Sequence, residues 1–150
     1  MSVAKLLPHD AAALHVTGAA RYVDDIPTPK GTLHIAFALS DVAHGRLNGL
    51  DLTDARAAQG VHGVWSGEDI SPMPDCSPSV HDEPLLCTGE VQFLGMPLCM
   101  IVADSHLNAR RAAALVRADI TPAQAILSID DAMAAKIWFD GGPRVYARGD

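Results

Sequence analysis

The chain has 150 residues, 49% hydrophobic and 19% charged, and its 11 basic against 18 acidic side chains give a formal charge of −7. That balance excludes a disordered chain, and a single domain of this length buries roughly two-thirds of its unfolded surface. No apolar run nears the roughly 20 residues of a membrane span, and the negative charge and 5% aromatic share disfavour phosphate binding and base stacking.

The first ten residues, Met1 to Asp10, carry one lysine and no apolar stretch before a cleavage site, so no secretory signal is expected and the expected compartment is the cytoplasm. Leu33, Ile35, Phe37 and Leu39 alternate with smaller or polar residues, which predicts a strand over Leu33 to Leu39 with one greasy side. A second strand is expected over Leu47 to Leu52. Thr53 is placed to cap a helix over Asp54 to Gln59, Gly60 to stop it, and Val61 to Trp65 to form the next strand.

The second half repeats this strand–helix–strand order. Leu98 to Ala103 is continuously apolar, as in a strand buried on both faces. Ser105 caps a helix over His106 to Leu115 with Ala109, Ala112 and Val116 near one face, and a strand follows over Val116 to Ile120. The pattern predicts an α+β domain: a small mixed sheet whose strand–helix–strand units are covered by helices. Between the halves, Pro72, Pro74, Pro78 and Pro84 make Ser71 to Pro84 an irregular surface connection. It leads into a strand over Val91 to Leu94 and a tight turn at Gly95 and Pro97. Ser128 starts a closing helix over Ile129 to Lys136, Gly141-Gly142-Pro143 ends the packed region, and Arg144 to Asp150 is expected as a departing strand.

Few residues gather into chemistry. Gly60, Gly63 and Gly67 form neither a dinucleotide fingerprint nor a phosphate loop. His81-Asp82-Glu83 in the Pro-rich stretch is the densest polar group, but adjacent loop side chains diverge, and a structural loop is the favoured reading. Asp24-Asp25 reads as a turn-forming acidic pair answered by Arg21. Ser40, Ser66, Ser77, Ser79 and Ser105 lack a nucleophile elbow. The histidines show no metal-binding spacing, and His34 sits on the strand side opposite the greasy one. Arg110-Arg111 is a weak anion site on an exposed helix face, and Arg148-Gly149-Asp150 is a coincidental adhesion tripeptide. Cys76, Cys87 and Cys99 contain no C-x-x-C pair and read as structural. No catalytic, cofactor-binding or metal-ligating residue is assigned.

The ordered stretches say more than any one motif. Leu7-Pro8-His9-Asp10, His15-Val16-Thr17-Gly18 through Asp24-Asp25-Ile26-Pro27, Leu33 to Phe37 and Gly49 to Leu52 come first. Gly89-Glu90-Val91-Gln92-Phe93-Leu94-Gly95, Ala109 to Ala113, Pro122 to Leu127 and Gly141-Gly142-Pro143 follow. Together they resemble the start of the molybdenum-binding large subunit of bacterial xanthine dehydrogenases, the α/β hammerhead domain of the aldehyde oxidase and xanthine dehydrogenase family. The resemblance implies a module of a molybdenum hydroxylase acting in purine catabolism on xanthine or hypoxanthine. It also implies molybdopterin, iron–sulfur clusters and FAD in the full enzyme, and as partners a molybdenum-binding domain or chain and an iron–sulfur/flavin subunit.

The family's catalytic glutamate, substrate arginines and molybdopterin loops lie beyond the hammerhead, so none is carried onto this chain. One departure stands out: Gly95-Met96-Pro97 replaces the usual Gly-Gln-Pro. The expected role is a non-catalytic scaffold, truncated or excised before the molybdenum domain; the alternative is a free-standing interaction domain that kept the fold without the enzyme. An exposed apolar patch around Met96, Trp138 and Phe139 is expected for such a module.

Overall fold

The computed structural model describes residues 7–138 and 142–150. The chain comprises two compact units, Met1–Thr32 and Leu33–Asp150.

In the first unit, helix α1 (Ala12–Val16) is one short turn with no buried side chain. Thr17 Oγ1 donates to the Ala13 carbonyl at 2.7 Å, a local bond that competes with helix continuation. A 3₁₀ turn, Val23–Asp25, follows, and its Asp25 carboxylate accepts the Tyr22 N–H at 2.9 Å. The acidic pair is therefore a turn device, as expected, but Arg21 does not answer it: the ion pairs among the described residues are His44–Glu90, His81–Asp75 and Arg117–Asp54.

The second unit contains strands β1 (His34–Leu39), β2 (Gly45–Asp51), β3 (Val61–Ser66), β4 (Glu90–Val91), β5 (Pro97–Ala103) and β6 (Arg117–Pro122). Its helices are α2 (Thr53–Ala57), α3 (His106–Ala113) and α4 (Ile129–Ala135). The expected α+β hammerhead class holds, but the strands divide into two antiparallel sheets instead of joining one mixed sheet, in the orders β1-β5-β3 and β4-β2-β6. Each strand–helix–strand unit begins in one sheet and ends in the other: β2–α2–β3 and β5–α3–β6.

Helix α3 lies on β1 and β5, and α2 lies on β3. Beneath them Ala38, Leu52, Ala55, Val64, Cys99, Ile101 and Ala112 form one core. A second core, Cys87, Val91, Met96 and Leu98, is flanked by Leu47 and Ile120 of the second sheet. Leu50 touches both cores and joins the sheets. Ser105 caps α3 as expected, its Oγ accepting the Asn108 N–H at 3.3 Å, and Ser128 caps α4 through the Asp131 N–H at 3.1 Å. Arg117 Nη2 donates to Asp54 Oδ2 at 2.9 Å and links β6 to α2 across solvent-exposed side chains.

Further expectations change. Thr53 is the first helical residue and not the cap; Asp51 Oδ1 accepts its N–H at 3.0 Å from two residues upstream. The strand expected over Val91 to Leu94 is only Glu90–Val91. The chain must reverse before β5, so Gly95 turns with φ +85 and its N–H bonds the Ser40 carbonyl at 2.9 Å, leaving Phe93 and Leu94 exposed. The strand expected over Arg144 to Asp150 does not form. Met96, offered as part of an exposed patch, is 2% exposed in the second core, because the turn folds it under the sheet. Trp138 is exposed, and Phe139 lies outside the described residues.

Candidate functional site

The Pro-rich connection from Ser71 to Pro84 holds neither helix nor named strand, as its prolines dictate. A lone bridge joins Asp75 to Pro84. Inside it, Ser77 Oγ donates to Asp75 Oδ1 at 2.5 Å and accepts the N–H groups of Asp82 and Glu83, both at 2.8 Å. The Ser77 N–H also reaches Asp75 Oδ1 at 2.9 Å. His81 adopts a left-handed backbone, φ +64, which turns its ring back so that Nδ1 meets Asp75 Oδ2 at 2.5 Å. The Ser77 bonds first, then the His81 bond, hold the Asp75 carboxyl down at about 2.

Serine, histidine and aspartate are thus brought together, but not in a nucleophilic order. A nucleophile needs its hydroxyl proton directed at the imidazole, and Ser77 directs its proton at the carboxylate while its lone pairs tie down two backbone amides. The knot closes a loop. His81-Asp82-Glu83 is a structural loop, as expected; sequence reasoning misses Asp75 and, having weighed Ser77 only as a nucleophile, misses its role in the knot. Their signal is the Asp-x-Ser spacing of an Asx turn just after a proline.

The other candidates are likewise occupied by the fold. Gly60, expected to stop the helix, does not: α2 already ends at Ala57 with Ala58 extended, and Gly60 sits in the following turn in the left-handed region, φ +76, where a Cβ would strike the Asp104 and Asn108 side chains. At Gly67 an added Cβ would lie 2.6 Å from the Cys87 carbonyl oxygen, and at Gly63 it would strike the Trp65 ring. The three glycines serve three separate close approaches and make no shared cradle. Ser40 is 4% exposed; its Oγ donates to the Val42 carbonyl at 2.8 Å and its backbone ties to Gly95 and Met96. Ser66 donates to Asp69 Oδ2 at 2.8 Å.

His34 is half-buried on the helix side of β1, and Arg110 and Arg111 are both exposed on α3. Cys87 and Cys99 are buried, with burial pushing the Cys99 thiol up to about 11, and Cys76 is exposed. Met96 Sδ accepts the Gln92 N–H at 3.5 Å. His44 joins three segments: Nδ1 meets the Gln124 carbonyl at 2.9 Å and Nε2 meets Glu90 Oε1 at 3.1 Å. The carbonyl bond first, and Glu90 second, raise its pKa above 6.5.

A groove of about 360 Å³ lies between the two sheets, lined by Asp51, Arg56, Glu68 and Asp69 among others. Its charges are mixed, and Asp51 and Asp69 already accept backbone N–H bonds from Thr53 and Ser66. Among the described residues no three His, Cys, Asp or Glu side chains gather where they could hold a metal ion. No helix there is long and apolar enough to cross a membrane.

What the second unit does display is an apolar surface. β1 and β3 both pair with β5, placing Phe37 and Trp65 opposite Met100, and Ile35 and Gly63 opposite Val102. Ala38, one position out of phase, is buried under α3, whereas Ile35, Phe37 and Leu39 are 50, 37 and 57% exposed. The greasy side of β1 therefore faces away from the helices. Gly63 lacks a Cβ where the Trp65 ring crosses it, so the indole lies along the sheet instead of standing off it.

Architecture and site together describe a small two-sheet α+β module that presents an apolar face and no assembled catalytic group among its described residues. Residues 17–124 match the family model described as the aldehyde oxidase and xanthine dehydrogenase a/b hammerhead domain, and the chain belongs to that family. It is 38% identical over 142 residues to xanthine dehydrogenase 1 of Arabidopsis thaliana, covering 95% of this chain and 10% of that protein. To the xanthine dehydrogenase of Oryza sativa subsp. japonica it is 34% identical over 149 residues, 99% of this chain and 11% of that one. The crystal structure of the aldehyde oxidoreductase from Desulfovibrio desulfuricans is similar with a TM-score of 0.75 and 29% identity, covering 94% of this chain and 17% of that chain. The chain spans about a tenth of the length of the curated relatives it matches.

Proposed function

We propose that this chain is the non-catalytic N-terminal module of a molybdenum hydroxylase large subunit of the xanthine dehydrogenase type, a cytoplasmic enzyme that hydroxylates purines. The observation that carries the reading is the family match over residues 17–124 within relatives roughly ten times longer. It is supported by the occupation of this chain's polar side chains in its own turns and caps. In this reading the single α/β hammerhead module hands over to a molybdenum-binding domain, in the same polypeptide or in a partner. Molybdopterin, the iron–sulfur clusters and FAD sit on those other parts and supply the hydroxylation and electron transfer. This chain contributes shape and binding energy and carries no catalytic, cofactor or metal residue.

The test is to purify the chain alone and completed by the molybdenum-domain polypeptide encoded in frame or beside it, and to measure metal content and urate formation from xanthine. The expected result is molybdenum and turnover only in the completed protein. Stoichiometric molybdenum with turnover from these 150 residues alone would overturn the reading, and so would the lack of any encoded molybdenum-domain polypeptide. That lack would favour the free-standing interaction domain.

A further inference from the structure

We propose that the helix-free side of the β1-β5-β3 sheet is the surface on which the molybdenum-carrying polypeptide seats, by uncharged apolar contact. The proposal rests on the reading of the chain as a large-subunit module and adds to it which face does the docking. Six side chains define that face: Ile35, Phe37 and Leu39 on β1, Met100 and Val102 on β5, and Trp65 on β3. They run across all three strands and none is charged; Arg56 and His62 lie at the β3 edge beside Gly63 and Trp65. An antiparallel sheet with one face in water ordinarily turns polar residues to that side. Here both sides are apolar, the composition of an inner layer with elements on each side.

The outer face is also shaped for contact. At Gly63 the backbone φ is not positive, so the glycine is there for space: it lets the Trp65 indole lie flat on the sheet. Aromatic side chains without charged neighbours on their strands are the composition favoured in the core of an interface, and here Phe37 and Trp65 flank Met100. The remaining apolar groups ask for the same kind of cover. After β6 the chain exposes Leu127, Ile129, Met133, Ile137 and Trp138, on a stretch with no buried residue in its helix.

A second copy of this chain is the weaker occupant. Two chains of charge −7 would have to approach each other, and net charge of one sign opposes self-association. A copy seated on the sheet would also leave the separate stretch after β6 uncovered, whereas a much larger polypeptide can cover both. The relatives supply that scale, since this stretch is 10 or 11% of their length.

The experiment compares the complete protein, chain and molybdenum-domain polypeptide together, with the chain alone. Hydroxyl-radical footprinting of the wild type reads Met100 and Trp65 directly and needs no variant; the expected result is protection of both in the complete protein. In parallel, Ile35→Asp and Phe37→Asp are compared with Leu107→Asp, which places the same charge on an exposed apolar residue of α3. Each face variant is expected to weaken association by at least roughly thirty-fold, as central interface residues do, and the α3 control by less than about three-fold. Circular dichroism checks that each variant is folded, and Ile35→Ser replaces any that is not.

If the wild type fails to associate with the molybdenum-domain polypeptide at all, the functional reading itself fails. If it associates but Met100 and Trp65 stay fully reactive, or the face variants bind as tightly as wild type, only the docking face is wrong. Sedimentation of the chain alone as a dimer that Phe37→Asp dissolves would assign the face to a second copy and overturn the proposal.

Discussion

The two sides of the first sheet are both apolar but differ in the size of their side chains. Toward α2 and α3 the sheet offers Ala38, Val64, Cys99 and Ile101, which meet Ala55 and Ala112 from the helices. Away from them it offers Ile35, Phe37, Leu39, Met100 and Trp65. Small residues let helix and strand backbones come close enough for full van der Waals contact, and in a closely filled space even one added methylene is felt. Large residues would hold a helix off. Hydrophobicity alone therefore does not tell inside from outside on β1, where alanines face the helices and Ile35, Phe37 and Leu39 face away.

The sharpest test of that difference replaces one isoleucine on each side. Ile101→Ala, at a fully buried position, is expected to cost about 2–5 kcal/mol, the transfer loss plus a cavity the neighbours cannot fill. Ile35→Ala, at a half-exposed position, is expected to cost no more than about 1 kcal/mol, the span of strand preferences. Urea unfolding of the two variants reads the contrast, and equal costs would mean that the outer face is as closely filled as the inner one.

The helix side also depends on where α3 begins. Ser105→Ala removes the oxygen that accepts the Asn108 N–H and should lower stability by about 1 kcal/mol, with faster hydrogen exchange confined to the first turn of α3. An unchanged unfolding midpoint would show that the cap is replaced by solvent.

The outer side should respond in shape before it responds in stability. Gly63→Ala forces the Trp65 ring off the sheet, and because that ring is the far end of a half-exposed side chain the cost is expected to stay under about 1 kcal/mol. The measurable change is a red shift of Trp65 emission, read in a Trp138→Phe background. Emission identical to wild type would show that the indole does not lie across Gly63.

Smallest of all is the effect of pH at His44, which lies on neither face. Its folded pKa is raised above the unfolded 6.5, so its contribution is complete below that value and is lost as pH climbs through the folded pKa. A proton-NMR titration should give a midpoint above 6.5, lowered by Glu90→Gln and kept partly raised by the Gln124 carbonyl. A midpoint at 6.5 in the wild type would mean that neither bond persists in solution.

The strands with the strongest pattern were legible. Leu33 to Leu39, Val61 to Trp65 and Leu98 to Ala103 each lie within a residue or so of an observed strand, and Ser105 and Ser128 cap the helices they precede. Weaker elements were legible only in outline. Gln92, Phe93 and Leu94 have strand-like side chains, but the return to β5 requires a turn there, and the turn is specified by a contact from Gly95 to Ser40, far earlier in the chain. The Arg144 to Asp150 segment pairs with no strand among the described residues, and strand propensity by itself does not make a ladder. The loop knot was half legible: its compactness follows from prolines, but the pairing of His81 with Asp75 needs a left-handed residue that local composition does not announce.

By itself the sequence determined the class of fold, the strands with clear alternation or continuous apolarity, the Ser105 and Ser128 caps, the irregular Pro-rich connection and the kinship with the hammerhead family. Those follow from interactions between residues near one another along the chain and from a pattern spread over its length. Tertiary structure alone decided that the strands divide into two sheets, that Met96 is buried, and which side of β1 faces the helices. Alternation states that a strand has two unlike sides; only the elements that pack on it choose between them. In this chain α3 chose the side of Ala36 and Ala38, where it could come close, and left Ile35, Phe37 and Leu39 outside.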